Sequence, residues 1–141
     1  MTFSESYKTC FAKFTTWQGR ASRSEYWYFT LFGFLVAVVA LVIDHVLGTT
    51  FKFTNPVSGE EQSMFYGYVY SLVALAMLLP GLAVMVRRLH DTGHSGWWYW
   101  IWLVPLIGGI LLLVWLCSRG TVGDNTYGSD PLEGDLSDTS G

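Results

Sequence analysis

Three stretches of the chain are apolar without an interior charge: Tyr26–Ile43 (YWYFTLFGFLVAVVALVI), Met64–Val86 and Trp97–Cys117. A helix needs about 20 apolar residues to cross a hydrocarbon core of about 30 Å, and each run is long enough. All three are apolar on every side rather than along one stripe. In a soluble protein of 141 residues, nothing would remain to cover them. The pattern predicts an all-α membrane protein, a single membrane domain over residues 1–131. Its transmembrane helices would run over about 23–47, 64–91 and 96–117. The first run is not read as a cleaved signal peptide. It lies behind 25 residues of patterned sequence, and no small-x-small site follows it.

Ahead of the first run, Phe3, Tyr7, Cys10, Phe11, Phe14 and Trp17 recur at steps of three and four. This stripe predicts a short amphipathic helix over 4–15, lying in the membrane interface or packed on the inner end of the helices. Ser22-x-x-Glu25 has the form of a capping box at the start of the first spanning helix. Between the first two runs, TFKFT alternates and NPVSG carries turn chemistry, so a small hairpin is one option there. Residues 132–141 are predicted to be a disordered acidic tail.

Composition agrees with a bilayer. Only 13% of residues are charged and 51% are hydrophobic, against roughly 25% charged in soluble domains. The net charge of −3 leaves no basic excess for nucleic acid. Trp27, Trp97 and Trp98 stand at run boundaries, where an amphipathic ring anchors at headgroup level. Lysine and arginine set the orientation. Lys8, Lys13, Arg20, Arg23, Arg87 and Arg88 fall on one side of a three-span topology, with Lys52 and Arg119 on the other. The positive-inside rule then predicts a cytoplasmic N-terminus and an outer C-terminus. Cys10 and Cys117 would lie on opposite sides and stay unpaired.

Chemistry concentrates in RRLHDTGHSGWW, residues 87–98. The second helix is expected to continue to His90 and stop at Gly93, with Ser95 capping the next helix. Arg87 and Arg88 would sit at a helix C-terminus and reach toward lipid phosphates. His90, Asp91 and His94 invite a metal-site reading, but Gly93 breaks the helix that would align two imidazoles. Ser95 lacks a G-x-S-x-G setting. The tail stretch GDNTYGSDP misses the calcium-loop pattern. Asp44, at the outer end of the first helix, is read as hydrated near the headgroups. Pro80-Gly81, Pro105 and Gly108-Gly109 are read as packing features rather than as parts of a transport path. Arg20, Arg23 and Glu25 share a side with Arg87, Arg88, His90, Asp91 and His94. Asp91 and Glu25 are expected to answer the arginines there and tie the helix ends together.

Three spaced motifs carry a family resemblance: FTTWQGRASRSEYW, LPGLAVMVRRLHDTGHSGWW and GTVGDNTYGSDP. The resemblance they carry covers about residues 11–131. The chain resembles the domain-of-unknown-function 805 family of small bacterial inner-membrane proteins, although the loop at 49–63 is longer than that family's usual connection. The resemblance implies inner-membrane location and a three-helix architecture, and implies no activity. The reading is therefore a structural, lipid-contact or partner-binding module. It faces anionic headgroups and has a protein partner or a second copy as a further possible contact. No catalytic residue, metal or cofactor is expected. The alternatives are a small oligomeric transport or channel subunit and an interfacial metal-dependent enzyme.

Overall fold

The computed structural model describes residues 2–133. Helix α1 (Phe3–Ala12) opens with a full capping box. Thr2 accepts from the Glu5 amide, and the Glu5 carboxylate accepts from the Thr2 amide. The bond from the Thr2 amide, with the Thr2 hydroxyl beside it, holds the Glu5 carboxyl below its ordinary range. Among the described residues, helix α2 (Arg23–Leu47) and helix α3 (Tyr68–Asp91) are the two elements long and apolar enough to cross a bilayer. Between them, strands β1 (Thr50–Thr54) and β2 (Glu61–Gly67) pair antiparallel, with Lys52 opposite Ser63 and Thr54 opposite Glu61. The hairpin option is the one realised. Asn55 closes the turn, accepting from the Val57 amide through its side chain and from the Gly59 amide through its carbonyl. Because β2 claims residues 61–67, α3 starts at Tyr68 rather than at 64.

The third predicted span is not a single helix. Residues 96–117 form a 3₁₀ helix, Gly96–Leu103, and a separate helix α4, Ile107–Cys117. Pro105 is the cause. It has no amide to donate and forces the residue before it out of the helical region. Val104 is extended, and Leu106 takes a left-handed φ of 61°. The two pieces pack on each other, with Gly108 against the Ile101 carbonyl. Eight residues of 3₁₀ helix rise about 16 Å, and eleven of α-helix about the same, which is half of a hydrocarbon core.

The chain divides into two compact units, one of Leu31–Leu79 and one formed by the N-terminal segment through Thr30 with the chain from Pro80 onward. Their burial is inverted relative to a soluble protein. Arg87, Arg88 and Asp44 are among the largest fully buried side chains, whereas Phe34, Val46, Leu72, Leu75 and Ile107 are exposed. Only 11% of the most apolar stretch of α2 and 17% of that of α3 is buried, far too little for core helices of a soluble domain. Helix α1 follows the packed alternative. Ser6 and Cys10 are fully buried, and Phe3 and Phe11 meet Tyr28 and Phe29 edge-on. The predicted disorder of the tail falls, beyond Glu133, outside the described residues.

Candidate functional site

The end of α3 is built as the sequence suggests. The His94 amide donates to the Leu89 carbonyl and the Gly93 amide to the His90 carbonyl, the two bonds of a Schellman cap. Gly93 takes the left-handed φ of 78° that this cap requires. Ser95 then caps the 3₁₀ helix by accepting from the Trp97 amide.

Around this helix end lies a buried ionic node. Asp91 accepts from Arg20 Nε at 3.0 Å through one oxygen and from Arg88 through the other. Glu25 accepts from Arg87 Nη1 at 2.6 Å. All five side chains are almost fully buried. Arg20 and Arg88 are satisfied further by backbone carbonyls. Arg20 donates to Thr121, Gly123 and Gly128, and Arg88 to Ala21, Leu116 and Ser118. Arg88 thereby caps the C-terminus of α4, where the free carbonyls and the helix dipole favour a cation. The Ala21 amide donates to the Arg87 carbonyl at 2.9 Å.

One expectation changes here. Arg87 and Arg88 do not reach toward lipid phosphates, because acceptors within the chain take them into the interior. The segment after α4 closes on the node. Its residues pack on the N-terminal segment and on the end of α3. The Thr121 amide donates to the Asp91 carbonyl, and Asn125 Nδ2 donates to the His90 carbonyl. Asp130 ties this segment together by accepting from the Gly123 and Leu132 amides, which hold its carboxyl below its ordinary range. In the stretch with a calcium-loop look, Asn125 and Asp130 thus spend their side-chain oxygens on backbone amides of the same segment.

Of the residues singled out in the sequence, the node gathers Arg20, Glu25, Arg87, Arg88 and Asp91. Arg23 is exposed and forms no ion pair among the described residues. His90 and His94 go to different partners. The His90 ring stacks on Tyr127 at 4.2 Å, with Nδ1 on the Gly19 carbonyl. The His94 ring stacks on Trp115 at 4.0 Å, with Nδ1 on the Thr92 hydroxyl. Trp27, Trp97 and Trp98 are exposed at their helix starts. The Ser22–Glu25 box is half formed. Ser22 accepts from the Glu25 amide, but the Glu25 side chain turns to Arg87. Sequence reasoning missed Cys10, whose thiol donates to Glu25 at 3.8 Å. Burial and the adjacent carboxylate push that thiol up to about 12. It also missed Asn125 and Tyr127, although both lie in the third motif.

Asp44 forms a second polar centre, within the Leu31–Leu79 unit. It is fully buried rather than hydrated. Its two oxygens accept from the Thr49 hydroxyl at 2.6 Å and from the amides of Gly67, Val69 and Tyr70. A carboxylate from α2 therefore caps the N-terminus of α3, and its acceptor sites are used within the chain.

A model of the family described as "Protein of unknown function (DUF805)" matches residues 14–129. The chain belongs to the DUF805 family. It is 39% identical over 128 residues to inner membrane protein YhaI of Escherichia coli strain K12, covering 91% of this chain and 96% of that protein. It is 34% identical over 125 residues to inner membrane protein YhaH of the same strain, covering 89% and 94%. No solved structure matches. All three motifs fall within the matched region or at its edge, so the node and the segment that closes it belong to what the DUF805 match covers.

Proposed function

We propose that this DUF805 protein is a structural, lipid-contact module of the bacterial inner membrane, with two spanning helices and a re-entrant hairpin. The observation that carries this reading is the inverted burial: charge inside, apolar side chains outside. Helices α2 and α3 cross, and the 3₁₀ helix with α4 enters one leaflet and returns. The segment after α4 then lies on the side of the N-terminus. Lysine and arginine support that arrangement more strongly than three spans would. Seven of the eight fall on the node's side, with Lys52 alone in the hairpin between the spans, so that side is cytoplasmic. Anionic headgroups are the proposed contact of the exposed Arg23 and Arg119, each worth about 1 kcal/mol near such a surface.

Purified protein in liposomes is expected to give no ion flux above empty liposomes. A flux that Asp44→Asn abolishes would overturn this reading in favour of transport. No observation favours the metal-dependent alternative, since the two imidazoles are committed to separate stacks.

A further inference from the structure

Arg87 is the one member of the node that is not satisfied. Its Nη1 is held by Glu25, but Nε and Nη2 are buried and have no hydrogen-bond partner. The Cys10 thiol stands beside the guanidinium, but a thiol sulfur is a weak acceptor. Nε and Nη2 form the side-on edge of the guanidinium fork. That edge donates two parallel bonds to two oxygens of one carboxylate or phosphate. Glu25 occupies the neighbouring nitrogen and fixes the fork's orientation while leaving the edge unpaired. An unmet buried donor has lost water and gained no partner, so two on one edge amount to a demand for an acceptor.

The element beside this guanidinium is α1, whose fully buried Cys10 stands against Arg87 and bonds Glu25. The hydrogen bond that Cys10 gives Glu25 ties α1 to the node, and it is long and soft. Residues 13–18, which join α1 to Gly19, are exposed. Arg87 lies one turn from the end of a spanning helix, the level at which phosphates lie if the topology proposed above holds.

We propose that the Nε–Nη2 edge of Arg87 is a binding site for one phosphate group, that of an anionic lipid or free phosphate, reached when α1 swings off the node. Occupation of the edge and covering by α1 exclude each other, so anion binding uncovers Cys10. This goes beyond a general headgroup contact by naming the side chain, the atoms and the segment that moves.

Cys10 is the reporter, in the full chain carrying Cys117→Ser so that one thiol remains. Maleimide labelling is followed in vesicles of phosphatidylcholine alone, in the same vesicles with inorganic phosphate, and in vesicles containing phosphatidylglycerol. The proposal expects labelling to rise about tenfold with phosphatidylglycerol, the effect of about 1.4 kcal/mol of differential affinity between uncovered and covered states. A matching rise with inorganic phosphate identifies the free ion as sufficient, and a rise with phosphatidylglycerol alone identifies the lipid. No rise with either overturns the proposal. Arg87→Lys keeps the charge facing Glu25 and removes the side-on edge, so it is expected to abolish the rise; a rise that survives in it also overturns the proposal. If Arg87→Lys labels fast in every vesicle because the node has come apart, the parent arms decide. The inorganic phosphate arm does not depend on the membrane topology, so its outcome separates failure of this site from failure of the topology.

Discussion

Asp91 holds two guanidinium groups at once, one on each oxygen, and its backbone carbonyl takes the Thr121 amide. Removing one partner of a buried ion pair costs about 3–5 kcal/mol, because the charge left behind is neither paired nor hydrated. Asp91→Ala is therefore expected to lower thermal stability in detergent by about that amount, and an unchanged melting temperature would refute the clasp. Gly120 bears on the same carboxylate. A Cβ there would overlap Asp91 oxygens, so Gly120→Ala is expected to cost about 1–3 kcal/mol through overpacking, read in the same melt. Asp130 gives a pH signature. Its folded carboxyl lies below its ordinary value, so its contribution is present above about pH 4 and is lost as pH falls through the folded value. Limited proteolysis of the 119–133 segment should accelerate on acidification over that window, and Asp130→Asn should remove the step. The pairing of Glu25 and Asp91 with arginines could be read from the sequence because each acid stands within a few residues of an arginine in the same motif. The burial of Arg20 and Arg88 could not, because backbone carbonyls complete their coordination, and every residue carries one.

Helix ends decide the element scale. The Schellman cap at Gly93 was legible because a left-handed residue must close such a helix end, and glycine adopts that conformation without steric cost. Gly93→Ala places a Cβ at φ 78° and is expected to destabilise by about 1–2 kcal/mol, measured by thermal unfolding. The cap on α3's other end was not legible, since Asp44 reaches it from a different helix, 23 residues before Gly67. Asp44→Ala frees three amides at once and should cost more than the about 1 kcal/mol of an ordinary N-cap loss. Hydropathy alone could not distinguish one 22-residue helix from two halves. Both are equally apolar, and the difference rests on Pro105 and the left-handed Leu106.

At the scale of the whole molecule, membrane character was legible from three charge-free runs, and the relatives are inner membrane proteins. The path of the last third was not. Whether that third makes a full crossing sets the side of everything after it. A direct measurement decides between the two paths. A membrane-impermeant thiol reagent on intact cells is expected to label Ser58→Cys, in the hairpin turn, and to spare Ser129→Cys. Labelling at Ser129→Cys would restore three crossings.

The carbonyls that hold Arg20 come from residues 121, 123 and 128. A ribosome makes Arg20 about a hundred residues before them. Through most of synthesis, at about 5–20 residues per second, this arginine waits several seconds for its acceptors. The node therefore closes as one of the last events of biogenesis, and a chain cut after Cys117 keeps α2 and α3 but lacks the lock. Such a chain is expected to insert and then be degraded faster than the full protein in a pulse-chase, which makes the 118–130 segment a checkpoint on completeness.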